Sequence, residues 1–455
     1  MIRHARGPST DGLRIALLGT RGVPARYGGF ETCVEEVGSR LVERGHRVVV
    51  YGARPEPDGT TDGTTTGAPH EPLREHRGME LVPLPAVRRR SLETLSRSAL
   101  AVAHLGAGRL RSRLGRRGGA DVDAAIVFNA ANAPFLPVLR AVGVPVATHV
   151  DGLEWKRAKW GPAGQGYYRW AEAFAVRHSD ALIADAQGIA DHYRARFDAD
   201  TTLIRYGAPV VEGGGDPRKL ATLGLTPGGY HLVVARFEPE NHVDVIVEGY
   251  AASRARTPLV VVGSAPYSDA YTARVHALAD HRVRLVGGVW DQDLLDQLYA
   301  GATTYLHGHS VGGTNPSLLR AIGAGTAVDA FDVDFNREVL GAAGTYWRTP
   351  ADVAAAVEAA EADEAQVRDR GRASRFRAAS YDWDDVADGY EDLCLRLAGR
   401  PTPVRHAREA AVVDLGATSR AHARDGVDPG ALELDLDAAS VRESALEPRA
   451  RWSSR

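Results

Sequence analysis

Cysteine is almost absent: Cys33 and Cys394 are the two in 455 residues. Two thiols cannot build a disulfide framework or a cysteine zinc site, and such sparse use fits a reducing compartment. Long hydrophobic runs are missing too. Nothing approaches the roughly 18 consecutive apolar residues that span a bilayer, and the opening MIRHARGPSTDG lacks the apolar core of a secretion signal. Charge of one sign is not in excess, since 55 Lys+Arg face 58 Asp+Glu for a net charge of −3. Whole-protein affinity for nucleic acid is therefore not expected. With 44 % hydrophobic and 25 % charged residues, the chain has the averages of globular domains. Its length suggests two or three of them, and the expectation is a cytoplasmic α/β enzyme or binding protein.

Arg14–Gly19 (RIALLG) is an apolar run ending in Gly. A turn-rich TRGVPARYGG and a segment with helical apolar spacing through Val34, Val37 and Leu41 come next. HRVVVYG then reads as a second buried strand, giving the strand–loop–helix–strand unit of a parallel sheet. Further strands are expected at Met79–Pro83, Ala124–Phe128, Pro145–Val150, Ala181–Ala184 and Thr202–Ile204, with helices including Leu92–Leu105 and Tyr167–His178. The pattern restarts at Tyr230, with strands in HLVVARF, PLVVVGSA, Val283–Val286, Thr304–Leu306 and Ala327–Ala330. Between them, Val243–Ser253, Asp269–Ala279, Asp291–Ala300 and Pro316–Ala324 read as helices. Glycine and proline cluster between the halves. A Gly/Thr/Pro loop is expected over Pro55–His76, and a disordered tail beyond about Arg400, where large apolar residues run out.

Four stretches carry chemistry. In Thr20–Glu31 (TRGVPARYGGFE), Gly28 and Gly29 open a helix, where bare amides and the helix dipole favour an anion. The stretch matches neither the dinucleotide fingerprint nor the phosphate loop with Gly-Lys-Ser/Thr, so a turn serving only geometry stays open. In Val234–Tyr250, Arg236 lies just past a strand, placed to pair with phosphate. A surface pair with Glu238 or Glu240 is the alternative. Asn241 is expected to begin the helix there. In His307–Gly325, Gly312–Gly313 turns tightly, Thr314 or Asn315 caps and Pro316 suits the first helical position. His307 and His309 are a poor metal pair because no carboxylate ligand is near. In His149–Gly161, His149, Asp151 and Glu154 end a strand and are candidates for proton transfer or sugar contacts; Trp155 and Trp160 either stack on a sugar or pack. The pairs Asp121/Asp123 and Asp332/Asp334 read as solvated loop carboxylates. The basic stretch from Arg88 through Arg117 suits an anionic membrane surface or a lipid diphosphate, with a solvated arginine face the other reading.

Taken in order, GTRGVPARYGGFET, VDGLEWKRAKWG, VARFEPENHVD, YLHGHSVGGTNPSLL and DFNREVLG resemble the GT-B family 4 glycosyltransferases, in particular the capsule and cell-surface rhamnosyltransferase-like branch. The resemblance runs from about Arg14 to Leu397. It implies two doubly wound Rossmann-like domains facing a cleft: an acceptor domain over 13–207, a linker over 208–228, and a nucleotide-sugar domain over 229–380. A closing helix over 381–399 then crosses back, ahead of the tail at 400–455. It also implies metal-independent, anomer-retaining transfer of a hexose, rhamnose included, with no cofactor beyond the nucleoside-diphosphate sugar. The acceptor would be a glycan or a polyprenyl-linked sugar at the inner membrane face. On that reading Asp151, Glu154 and His149 are catalytic, and Gly28, Gly29, Arg236, Asn241, Gly313, Thr314, Asn315, Ser317 and Arg320 hold the donor. Tyr27, Trp155 and His309 touch acceptor or sugar. One departure matters. Where the family has a ribose-binding glutamate, this chain has Arg320, which turns an acceptor into a donor and reverses the charge; the position eight residues earlier is Gly312. Asp329 stands where an apolar strand residue is expected. A non-catalytic glycan- or nucleotide-binding homologue and a sugar-nucleotide epimerase or dehydrogenase are the rival readings.

Overall fold

The computed structural model describes residues 12–25, 28–54, 73–87, 93–114, 121–150, 152–157, 159–211, 217–264 and 269–403. Tyr27, Asp151, most of the expected loop over 55–76, both ends of the basic stretch and the tail beyond 403 lie outside them.

Two sheets organise the described chain. The first lobe runs β1 (Arg14–Leu18), α1 (Gly29–Glu43), β2 (Arg47–Ala53), β3 (Glu75–His76), β4 (Met79–Leu84), α2 (Glu93–Arg113), β5 (Ala124–Phe128), α3 (Leu136–Ala141), β6 (Val146–His149), α4 (Pro162–His178), β7 (Ala181–Ala184), α5 (Gln187–Phe197) and β8 (Thr202–Leu203). Its strand order is β3-β4-β2-β1-β5-β6-β7-β8, parallel except for the β3–β4 pair. The second lobe runs α6 (Pro217–Ala221), β9 (His231–Val234), α7 (Val243–Ala252), β10 (Leu259–Val262), α8 (Asp269–Leu278), β11 (Val283–Gly287), α9 (Gln292–Ala300), β12 (Thr304–His307), α10 (Pro316–Ala324), β13 (Ala327–Phe331), α11 (Asp334–Leu340), β14 (Thr345–Trp347), α12 (Pro350–Ala362), α13 (Glu364–Ala378) and α14 (Trp383–Leu397). Its sheet, β11-β10-β9-β12-β13-β14, is wholly parallel. The central strands are buried on both faces, as their near-continuous apolar runs require: AAIVF of β5 and LVVV of β10 have no exposed residue.

The last helix, α14, returns to the first lobe. Its Asp384 pairs with Arg40 at 2.9 Å, and its Asp388 and Glu391 pair with Arg44 at 2.7 and 3.0 Å. His46 meets Glu391 at 2.9 Å, and Tyr390 packs beside the buried thiol of Cys33. Beneath this polar edge, Val34, Val37 and Leu41 of α1 share one core with Val386, Tyr390 and Leu393 of α14.

Besides α3, α5, and the short β3 and α6 that stand inside the expected loop and linker, three further elements were not anticipated. The helix α13 (EAQVRDRGRASRFRA) has almost no apolar periodicity, because its arginines do the anchoring. Arg375 donates to the carbonyls of Val211 and Ala324, and Arg377 donates to those of Glu338 and Val339. Arg370 reaches Asp329 at 2.6 Å, and Thr345 supplies that carboxylate with a second donor. Asp329 is thus the acid of a buried ion pair joining β13 to α13, which accounts for a charge inside a strand. The other two, α11 and β14, are too short for a periodic signal. The helix after Arg236 begins at Val243, two residues later than expected. Pro239–Asn241 forms a single 3₁₀ turn, and His242 adopts a left-handed conformation (φ 46°) that delays it.

Candidate functional site

Strand order reverses between β1 and β5 and again between β9 and β12, and ligands of doubly wound sheets bind at such points, beyond the carboxyl ends of the strands. The turns leaving those ends are the stretches singled out above, and they face one another. Gly29 at the start of α1 lies against Pro316 at the start of α10, where a Cβ would sit 3.0 Å from the proline ring. A Cβ on Gly152, in the turn after β6, would overlap the Cα of Gly312. One on Gly313 would overlap the carboxylate of Asp185, which follows β7. Thr314 Oγ1 donates to the Asp185 carbonyl at 2.8 Å. Three glycines, Gly29, Gly152 and Gly313, therefore give the lobes their close approach, and between Gly152 and Gly312 they meet backbone to backbone.

At the α10 terminus the Asn315 side chain accepts from Ser317 N at 2.9 Å and Pro316 fills the first position. A helix start leaves its early amides without intrahelical partners, which favours negative charge there. The α1 terminus differs. Gly28 is left-handed (φ 108°) beside the carboxylate of Glu31, which accepts from Arg21 N at 3.0 Å. Burial raises the Glu31 pKa against the opposing pull of that amide and of nearby arginines. This end of α1 already holds a negative group of its own.

A charged cluster surrounds His309, which lies beside Gly312. Arg236, half exposed, stands 3.3 Å from Glu238. Asn241 Nδ2 donates to the Arg236 carbonyl at 2.8 Å, and its Oδ1 takes a 2.8 Å hydrogen bond from His309. From the first lobe, Glu154 is ion-paired with Arg157, lies 3.5 Å from Lys159 and accepts from Trp160 Nε1 at 3.2 Å. Burial pushes the Glu154 carboxyl up, but the cations Arg157, Lys159 and Arg236 and the Trp160 bond outweigh it and hold it low. Arg157 also comes within 3.8 Å of Glu240 from the other lobe, whose buried carboxylate oxygens have no hydrogen-bond partner. The His309 pKa is driven well down by burial and by the neighbouring Arg157 and Arg236 charges, so the ring is neutral. Burial alone takes His307 to about 3.

Other sequence candidates stand elsewhere. His149 is wholly buried at the end of β6, stacked between Phe128 and Tyr206 with Phe30 at its edge, and neither ring nitrogen has a partner. Burial takes its pKa to about 3. No ligand reaches this ring unless the stack opens. Trp155 is covered on its faces by Lys156 and Arg169, at 5.5 and 4.6 Å from the ring centre. Arg320 donates to Gln292 Oε1 at 2.8 Å and lies 3.4 Å from Asp296, both on α9. Asp332 is held by Arg337 and Arg348 and is not a free loop acid. Among the described residues no group of three or more His, Cys, Asp or Glu is placed to hold a metal ion. Four residues here were not singled out in the sequence. Arg157 and Lys159 lie inside His149–Gly161 without having been assigned a role, and Glu240 was read only as a possible partner of Arg236. Asp185, in ADAQG, carries no signal that sequence alone distinguishes.

Comparison with known proteins decides the reading of this cleft. Residues 28–207 match the family described as "Glycosyl transferase 4-like domain", and residues 229–363 match "Glycosyl transferases group 1". The chain carries both domains of a GT-B glycosyltransferase. Sucrose-phosphate synthase from Thermosynechococcus elongatus superposes on this GT-B chain with a TM-score of 0.67 at 19 % identity, covering 85 % of this chain and 99 % of that one. HepE of Anabaena, solved in complex with UDP-glucose, gives 0.64 at 15 % identity over 84 % and 99 %. A UDP-forming α,α-trehalose-phosphate synthase from Burkholderia vietnamiensis gives 0.61 at 13 % identity over 85 % and 99 %. At these identities the likeness is one of fold. Among curated protein sequences none matches.

Proposed function

We propose that this GT-B protein transfers a sugar, rhamnose among the candidates, from a nucleoside-diphosphate sugar to a glycan or lipid-linked acceptor in surface-polysaccharide assembly, with retention at the anomeric carbon. The observation that carries the reading is the gathering of Arg157, Lys159 and Arg236, from both lobes, about Glu154 and His309, beside the Gly312 turn that leads into α10. Breaking the bond from the anomeric carbon to the β-phosphate oxygen leaves charge on that oxygen, and preorganised amides and guanidinium groups stabilise it there. These cations supply the positive charge that the leaving group needs, which supports transfer without a metal. HepE was solved with UDP and with UDP-glucose, which supports a nucleoside diphosphate as the carrier here.

In the proposed step the acceptor hydroxyl oxygen bonds to the anomeric carbon on the face the diphosphate leaves, and its proton passes to the departing phosphate oxygen. No enzyme nucleophile is needed. Glu154, and Asp151 before it in sequence, orient the reacting hydroxyls, while Glu240 accepts from the transferred sugar and so gains the donors it lacks. His309 and Asn241 fix the Arg236 loop. Gly28, Gly29, Gly313, Thr314, Asn315 and Ser317 shape the phosphate pocket. On this reading Arg320, held by Gln292 and Asp296 of α9, serves the nucleoside end of the donor. His149 acts as a packed aromatic support, and contact with the acceptor is assigned to Trp155 and, from the sequence, to Tyr27. Hydrolysis of UDP-, GDP- and dTDP-sugars, each with and without EDTA, tests this. One donor should be hydrolysed, and EDTA should leave its rate unchanged; no hydrolysis of any donor would favour a binding homologue.

A further inference from the structure

The helices α2, α3 and α4 form one layer on the eight-stranded sheet. Their inner sides, Ala101, Val102 and Leu105 of α2, Leu136 and Leu139 of α3 and Ala175 of α4, are buried in a single core with β1, β2, β5 and β6. The outer side of that layer has an unusual composition. Leu100, Ala103, Ala107, Leu110 and Leu114 all face outward along and just past α2, spaced three or four residues apart. Leu110 and Leu114 are 58 % and 62 % exposed. A surface helix normally turns polar residues outward. Val138 of α3 and Trp170 of α4 are exposed on the same helical layer, the Trp ring lying 4.9 Å from Phe174. Half of the ten large hydrophobic side chains most exposed among the described residues therefore lie on one helical layer.

Charge on this face has one sign. Arg111, Arg140, Arg169 and Arg177 are exposed on these helices, Arg169 lying over the Trp155 ring and Arg140 beside Asp180. The acids of the three helices are Glu93, which pairs with Arg97 at 2.8 Å in the first turn of α2, and Glu172, which is buried. At the edges Asp121 is taken by Arg109, and Asp180 by the amide of Val146 and by Arg140.

We infer that the outer face of α2–α3–α4 docks on an anionic lipid surface, the leucines and Trp170 entering the head-group boundary while the arginines meet the lipid phosphates. Apolar side chains ringed by arginine with no free carboxylate have the chemistry of an interfacial helix face. No described helix is long and apolar enough to cross a membrane, so the contact is peripheral. A second copy of the chain is the poorer occupant, because a two-fold contact would set this arginine set against itself. The inference stands independently of sugar transfer.

The full chain is tested by co-sedimentation with vesicles of phosphatidylcholine alone and of phosphatidylcholine with one-third phosphatidylglycerol. Wild-type protein should partition onto the anionic vesicles at least about tenfold more than onto the neutral ones, with the difference shrinking as salt rises. Leu110→Ser with Trp170→Ser, and separately Arg111→Glu with Arg177→Glu, should each cut that partition by about tenfold, whereas Phe376→Ser on the second lobe should leave it unchanged. These side chains are exposed, and an unchanged melting temperature confirms that the variants fold. Binding that ignores lipid charge, or that survives both double variants, overturns the inference. So does a wild-type dimer in light scattering that the leucine–tryptophan variant dissolves, since that gives the face to a second copy.

Discussion

Arg236→Ala is the substitution that most directly separates a phosphate site from a decorative cleft arginine. The guanidinium is half exposed and rests 3.3 Å from Glu238. A charge-assisted hydrogen bond from arginine to a phosphate contributes about 1.5–3 kcal/mol. To make it, the side chain gives up its pair with Glu238, which at this exposure is screened and holds only about 0.2–1 kcal/mol. The net loss in Arg236→Ala is then about 0.5–2.8 kcal/mol, a weakening of the dissociation constant by about 2- to 110-fold. Titration calorimetry with the best-binding nucleoside diphosphate of UDP, GDP and dTDP reads this directly, and the matching free nucleoside is the control. The nucleoside should bind the variant as it binds wild type. Glu238→Gln, which frees the guanidinium, should tighten diphosphate binding by about 1.5- to 5-fold. Equal losses for nucleoside and diphosphate, or no loss for either, would refute the placement of phosphate at Arg236.

His149→Phe tests the buried stack. The ring is neutral in the folded protein because burial takes its pKa from 6.5 to about 3, so its stability contribution is complete above pH 6.5 and falls away as pH drops towards 3. The variant should melt a few degrees above wild type at pH 5 and near it at pH 8; parallel pH profiles would show the ring is not held neutral. Gly152→Ala places a methyl on Gly312 and should lower donor turnover at least tenfold with little change in melting temperature, whereas full turnover would mean the lobes do not work in this closed contact. Arg370→Met leaves Asp329 buried without its cation and should cost about 3–5 kcal/mol in urea unfolding. The double variant with Asp329→Val should recover most of that, and a single variant as stable as wild type would show that the pair adds nothing.

Legibility in the sequence followed the physics of each signal. Parallel strands buried on both faces are continuous apolar runs, so β1, β2, β5, β9 and β10 stood out, and glycine or proline at the turns marked the ends that build the cleft. The start of α10 was read to the residue because Asn315 and Pro316 are a cap and a first-turn proline. What failed were elements held by something other than an apolar stripe. The helix α13 is fixed by guanidinium-to-carbonyl bonds, which leave no period in hydrophobicity. Lobe-to-lobe relations failed as well. That Arg157 would approach Glu240 depends on segments brought together from a distance. His149 shows the limit for single residues: a histidine at a strand end suggests chemistry, and only its neighbours disclose an aromatic stack.

The return of α14 onto α1 has a consequence for how the chain is made. The apolar side of α1 that carries Val34, Val37 and Leu41 is covered by Val386, Tyr390 and Leu393, yet about 340 residues separate the two helices. At a ribosomal rate of roughly 5–20 residues per second, that side waits roughly 20–70 seconds for its cover. Throughout that interval the nascent first lobe shows a sticky flank and an arginine ladder whose acidic partners have yet to be translated. Demand on chaperones should therefore peak late in synthesis, and a ribosome stalled before residue 383 should release a product that aggregates although its first eight strands are all present.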